Sequence, residues 1–194
     1  MAYQTKLIDW SHVPDSLRLQ RYDIVANAGM KLSGDQYWEM LRALLEDRFN
    51  LKFHRESKES QVFALVFAKN GTTPGPKLTA SPNPDCPANP NGSNFCGVQV
   101  GYGAMFGQRV PVTRIARELG SFAGRPVQDR TGLSGVFDFE LRWTPDQLDS
   151  KSAAIDSEPS LTTALEEQLG LKLKPEKGQI EILVIDHLEK PSEN

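Results

Sequence analysis

Two stretches of this chain repeat each other at a distance of 120 residues. Leu41, Leu45, Glu46, Leu51, Lys52 and Glu56 recur as Leu161, Leu165, Glu166, Leu171, Lys172 and Glu176, while Phe49 and Phe53 recur as Leu169 and Leu173. The matching positions are mostly those that a helix and the next strand would bury. The preceding segments correspond as well, "RYDIVA" in the first copy and "VFDFEL" in the second. Neither copy alone buries much core, so the two are expected to pack together. This predicts an α+β fold of two related strand–helix–strand–strand halves, forming a mainly antiparallel sheet with helices packed on one face. The halves are residues 1–70 and 109–194, joined by a Pro/Gly-rich loop over 71–108, in one compact domain overall.

Within the first half, "QRYDIVANAG" alternates as a strand does, with Tyr22, Ile24 and Ala26 on one side. In "SGDQYWEMLRALLEDRFN" the residues Trp38, Leu41, Leu44, Leu45 and Phe49 recur at helical spacing and make one apolar stripe. "LKFHRE" and "SQVFALVFAKNG" read as two strands with "SKES" as the turn between them. Six prolines fall between Pro74 and Pro90, a composition that buries too little apolar surface to offset its ordering entropy. In the second half, "VPVTRIARELGSFAG" is a helix with Thr113 as its cap, and "RPVQD" is a short strand. Phe137, Phe139, Leu141 and Trp143 alternate with Asp138, Glu140 and Arg142, the pattern of a strand with one buried and one wet face. "SLTTALEEQLG" is a third helix between a Ser160 cap and a Gly170 stop. "LKLKPEKGQ" and "IEILVIDHL" then close the chain as two strands turning at "EKG".

Composition bounds the function classes. The net charge is −3 and charged residues make up 24% of the chain, with no block of like charge. A nucleic-acid partner would require clustered Lys and Arg on a basic background, so none is expected. The apolar runs "VFALVFA" and "ILVI" fall far short of the roughly 20 residues of a membrane helix. "MAYQTKLIDW" holds no apolar segment of the signal-peptide kind. Cys86 and Cys96 flank "PANPNGSNF". Two thiols are too few for a closed zinc site. In an oxidising compartment they are expected to form a small disulfide loop, and elsewhere to be idle thiols.

Several motifs, in order and with matching gaps, resemble one family from Arg21 onward. They are "RYDIVA", "LRALLEDRFNLKFHRE", "FALVFAKNG", "GRPVQDRTGLSGVFDFELRWTPD" and "LTTALEEQLGLKLKPEKGQIEILVIDHLEKPSEN". The family is a soil-associated one of unknown function, expanded in acidobacterial genomes. The resemblance implies an exported, extracytoplasmic protein, since family members mostly carry signal peptides. Some members place this domain behind an antirepressor-type membrane metallopeptidase. No reaction comes with the resemblance, so no catalytic residue does either. Against the family pattern, a strand and a helix expected before "RYDIVA" are missing. The sheet edge this exposes could pair with another chain and so self-associate.

The chemistry-bearing residues are few. A nucleophile elbow reads G-x-S-x-G on a strand-to-helix turn. "TGLSG" around Ser134 has another spacing and precedes a strand, so its glycines are read as turn positions with Leu133 tucked inward. The histidines are His12, His54 and His187, with no pair at ligand spacing, so no metal site is assigned. Asp138 and Glu140 share a strand face with Arg142 alongside, which reads as a solvated face. Tyr102, Phe106 and Trp143 could place aromatic rings over a groove, as glycan or peptide binding would use, though plain packing of the loop against the core is the more ordinary reading.

Two functions follow from different classes. The first is an extracytoplasmic ligand-binding, sensing or interaction module without catalysis. Its partner would be a small molecule, a glycan, a peptide or another protein, and no cofactor is expected. The second is a metal-assisted hydrolase of an ester or lactone. That would gather His54, Asp129 and His187 from separate segments and would need a divalent metal.

Overall fold

The computed structural model describes residues 7–30, 34–69, 72–82, 96–145 and 158–191. Among them the fold is α+β. Strand β1 is Ile8–Asp9, β2 Lys52–Phe67, β3 Leu78–Ala80, β4 Gly97–Gly101, β5 Ala104–Val110, β6 Val127–Asp129, β7 Phe137–Arg142 and β8 Leu171–His187. The helices are α1 Asp15–Arg18, α2 Gly34–Arg48, α3 Val112–Ala123 and α4 Leu161–Ala164, the last continued by a π-helical turn over Leu165–Leu169. One sheet has the order β1-β8-β2-β6 and the other β3-β7-β5-β4. The second is antiparallel throughout. In the first, β1 runs parallel to β8 and β6 parallel to β2.

The chain divides into two compact units. Unit 1 is Met1–Ser60 with Gln179–Asn194, and unit 2 is Gln61–Gly178. Unit 2 holds the larger core. Val112, Ile115, Ala116 and Leu119 are the buried residues of α3; they recur at i, i+3, i+4 and i+7, so one stripe faces inward. From β7 come Phe137, Phe139 and Leu141, and from the helical segment at 161–169 come Ala164, Leu165 and Leu169. Each Leu or Phe buried here contributes on the order of 1.5–3 kcal/mol from area removed from water. In unit 1 the buried cluster is Val13, Leu183 and Ile185, with Leu17, Leu51, Phe53 and Leu188 partly buried against it.

Both hairpins expected from the sequence are single long strands. β2 runs through "SKES" and β8 through "EKG" without turning. A tight hairpin needs residues that accept positive φ, and "SKES" offers no Gly, Asn or Asp. Gly178 could turn, but its φ is not in the left-handed region. It is small for another reason: a Cβ there would stand 2.9 Å from Val62 Cγ2 and 3.0 Å from Gln128 Oε1. Pro175 lies outside the two β8 residues that pair with β1, where its missing N–H is tolerated. β2 and β8 are neighbours. His54 meets Asp186, Arg55 meets Glu181 and Ser57 meets Gln179. Partners fall along β8 as they rise along β2, which is antiparallel order.

The segment at 20–29, expected as a strand, is assigned to no strand. Its apolar side chains do not reach a core: Ile24 is 46% and Val25 97% exposed. Alternation alone cannot supply a ladder partner. The helix expected to be capped by Thr113 is capped two residues earlier. Pro111 is its N-cap, where a missing N–H costs nothing. The third helix keeps its expected ends. Ser160 Oγ accepts the Thr163 N–H, and Gly170 is left-handed at φ 68. Asn50, 120 residues earlier, is also left-handed at φ 46. The repeat therefore reads, in both copies, as helix, left-handed residue and long strand. Part of the segment at 71–108 is also ordered into β3, β4 and the start of β5.

Candidate functional site

The wet face of the antiparallel sheet is set by strand alternation. Phe137, Phe139 and Leu141 point into the core of unit 2, which turns Asp138, Glu140 and Arg142 outward. Phe106 pairs with Glu140 on one side and with Gln99 on the other, so its ring stands among polar neighbours. Around it Lys77, Thr79, Gln99, Gln108 and Glu140 line a groove of about 530 Å³. The polar groups hold one another in place. Arg142 Nε donates to Glu140 Oε1 at 2.6 Å, and Lys77 Nζ lies 3.7 Å from the same oxygen. The Arg142 guanidinium carbon is 5.0 Å from the Phe106 ring centroid, within cation–π range. The hydrogen bond from Arg142, with Lys77 adding its charge, holds the Glu140 carboxyl below its ordinary 4.5. The same bond raises Arg142.

Arg142 is anchored through its backbone. Buried Gln168 accepts the Arg142 N–H at 3.0 Å and donates to the Arg142 carbonyl at 2.8 Å. Both polar ends of one side-chain amide are thereby satisfied.

A second concavity opens at the start of α3. It measures about 450 Å³ and is lined by Cys96, Gly97, Val110 and Pro111 together with Thr113 and the arginines 109, 114 and 117. The register between β5 and β7 shifts between Gly107 and Val110, a bulge of the kind that re-aims a side chain. Arg109 sits in it at φ 54, a conformation that costs a non-glycine residue about 1–3 kcal/mol. Its N–H donates to Asp138 Oδ1 at 2.8 Å, which ties the bulge to the neighbouring strand. Arg109 Nη1 lies 3.5 Å from Cys96 Sγ. Arg114 Nε donates to Glu118 Oε1 at 3.0 Å.

The residues singled out from the sequence are placed apart. Phe106 is in the groove. Tyr102 is 72% exposed, at the turn between β4 and β5, and Trp143 is 4% exposed. Trp143 packs edge-to-face on Phe122 at 4.9 Å, so its ring belongs to the core. His54 Nδ1 lies 2.8 Å from Asp186 Oδ1, and His187 Nε2 lies 2.7 Å from Glu189 Oε1. Asp186 and His187 are adjacent on β8, so alternation sends them to opposite faces and separates the two histidines. The His187 hydrogen bond, seconded by Asn50, keeps the Glu189 carboxyl low. Asp129 Oδ1 accepts the Thr131 N–H at 2.9 Å and its hydroxyl at 2.7 Å. His12 is exposed. Among the described residues no group of three His, Cys, Asp or Glu side chains is placed to hold a metal ion.

Ser134 is exposed on a turn. Gly132 and Gly135 flank it at φ 73 and 88, and Leu133 packs against the core of unit 2. This is the turn expected from the glycine spacing. Cys96 is disulfide-bonded, while Cys86 lies outside the described residues.

The arginines of the second concavity were missed from the sequence. Arg114 and Arg117 sit three apart at the start of a helix, and that spacing on one helix face was the available signal. Arg109 gave none, because its direction depends on the bulge.

The chain matches the family described as "Protein of unknown function (DUF3738)" over residues 1–188. It belongs to that family. No curated protein and no solved structure matches the chain. No described helix is long and apolar enough to cross a membrane.

Proposed function

We propose that this protein is an extracytoplasmic, non-catalytic binding module whose antiparallel sheet presents a saccharide-binding face. The observation that carries this reading is Phe106, half-buried in the middle of a wet sheet face and ringed by fixed polar groups. A sugar ring has an apolar face that stacks on an aromatic ring and a rim of hydroxyls that hydrogen-bond sideways. Gln99 and Gln108 each supply donors and an acceptor, Thr79 a hydroxyl and Glu140 carboxylate oxygens. Pre-organisation of Glu140 by Arg142 lowers the ordering cost of binding.

The disulfide at Cys96 supports the compartment, because such bonds persist mainly outside the reducing cytosol. The likeness to exported proteins of soil acidobacteria, some fused to antirepressor-type metallopeptidases, points the same way. Binding is favoured over metal-assisted hydrolysis because His54 and His187 each contact a separate carboxylate, Asp186 and Glu189, rather than meeting one another.

Titration calorimetry with a panel of neutral oligosaccharides tests the reading. We expect at least one to bind, and Phe106→Ala to weaken it on the order of tenfold or more. Binding that survives Phe106→Ala unchanged would place the ligand elsewhere. Silence across the panel would sink the saccharide assignment.

A further inference from the structure

The outer edge of β7 loses its strand partner part-way along. β3 pairs with Phe137, Asp138 and Phe139 and goes no further. Beyond that point the edge is completed from outside the sheet. The Glu140 N–H donates to the Lys77 carbonyl at 3.1 Å. The Arg142 N–H and carbonyl are met by the Gln168 amide at 3.0 and 2.8 Å. Among the described residues Gln168 is the one buried polar side chain, at 9% exposure. Burying an amide is costly unless both its ends are bonded, and here Arg142 bonds both.

Gln168 takes hold a second time through its backbone. Its carbonyl accepts the Lys77 N–H at 2.8 Å, and the next carbonyl, of Leu169, accepts the Gly75 N–H at 2.8 Å. Gly75 has no room for a side chain, since a Cβ there would stand 2.6 Å from the Gln168 carbonyl oxygen. The segment before β3 is thus pressed onto the π-helical turn Leu165–Leu169, and such turns recur at functional sites. The bonds close into a ring. Gln168 holds Lys77, the Lys77 carbonyl holds Glu140, the Glu140 carboxylate holds Arg142, and the Arg142 backbone returns to Gln168. Lys77 and Arg142 are the two cations that face Glu140, and Glu140 pairs with Phe106 across the strands.

We propose that Gln168 is a positioning residue of the Phe106 groove: its amide and its carbonyl fix Arg142 and Lys77 at once, and through them fix the acceptor Glu140 beside the aromatic ring. As a statement about recognition this rests on the Phe106 face being the binding face. As a statement about geometry it is tested without a ligand, so the two fail separately.

NMR titration of the Glu140 carboxyl, its resonance assigned with Glu140→Gln, makes the test. In the parent this carboxyl lies below its ordinary 4.5. Gln168→Leu strands the Arg142 backbone and loosens the guanidinium, so Glu140 should titrate higher, toward 4.5. Gln168→Asn keeps the amide on a side chain one methylene shorter. It should move Glu140 in the same direction by less, and it carries the test if the leucine variant does not fold. Two controls separate positioning from general loosening. Ile115→Val thins the same core without touching the ring, and it should leave Glu140 where it was. Glu189, in unit 1 and held low by its own bond from His187, should not move in either Gln168 variant. A Glu140 midpoint unchanged by the Gln168 variants would overturn the proposal. So would an equal rise in Ile115→Val, or a rise of Glu189 that matches that of Glu140.

Discussion

Leu119 in unit 2 and Ile24 in unit 1 are aliphatic residues of equal size with opposite surroundings. Leu119 is fully buried on α3, and Ile24 is 46% exposed in the segment between α1 and α2. The contrast runs through both units. In unit 2, one helix, the helical segment at 161–169 and most of the antiparallel sheet meet in one large cluster. In unit 1, three buried residues form the cluster, while Leu19, Val25, Met30, Tyr37 and Met40 lie open to solvent. The same strands show it internally. β2 is exposed over most of "KFHRESKES" and buried over much of "VFALVF". The periodic pattern that makes an element is thus not the pattern that gives it a place in a core. Unit 2 has both, and unit 1 has mainly the first.

Replacement of Leu119 by Ala should break this comparison most severely. It leaves a cavity in the larger core and should lower unfolding stability by about 2–5 kcal/mol in denaturant titration. Ile24→Ala should move it by less than about 0.5 kcal/mol. A large loss from Ile24→Ala would mean that unit 1 buries this segment in solution. Gln168→Leu comes next. It strands the Arg142 N–H and carbonyl, and should cost roughly 1–3 kcal/mol. Because Arg142 braces Glu140, the same variant should also weaken any ligand of the Phe106 face.

The third prediction concerns acid. The folded Glu140 carboxyl lies below its ordinary 4.5, so the folded state binds its proton later than the unfolded chain. The stabilisation is present above that ordinary value and is lost as pH falls below it, through the lowered folded value. Glu140→Gln should flatten the loss of stability on the acid side of 4.5, measured by urea midpoints along a pH series. Glu189 in unit 1 is depressed in the same sense, so some acid dependence should remain. The smallest effect is expected for Ser134→Ala. Stability and ligand binding should both stay within about 0.5 kcal/mol of the parent, and any larger loss of binding would give this turn serine a role in recognition.

Much of unit 2 was legible in the sequence. The alternation from Phe137 to Arg142, the i, i+3, i+4 stripe of α3, the Ser160 cap and the glycine turn around Ser134 all follow from local rules of spacing and φ. The long strands were not legible, because a polar stretch such as "SKES" looks the same in a turn and in a strand exposed on its edge. Only the cross-strand partners, His54 with Asp186 and Ser57 with Gln179, distinguish the two. Those partners stand more than 120 positions away. For the Phe106 groove, one aromatic was legible and its polar ring was not, since Lys77 comes from the turn before β3, Gln99 from β4 and Glu140 from β7. For Trp143 the alternation with Phe137, Phe139 and Leu141 was the better guide than its aromatic type, since its ring lies in the core.

The tie between His54 and Asp186 spans 132 positions, and its consequence lies in the order of synthesis. In the sequence, unit 2 is one continuous stretch between the two segments of unit 1, so the second segment is made after it. Closing so long a loop from an open coil is slow and entropically costly. Unit 2 removes much of that cost if it folds first, since Gly178 at its far end lies against Val62 at its near end. The inner unit would then act as a clasp, holding Lys58 and Gln179 near one another before the outer unit has a partner strand to zip. During translation Ser57 must wait for Gln179, which is made 122 residues later, before this part of the ladder can close.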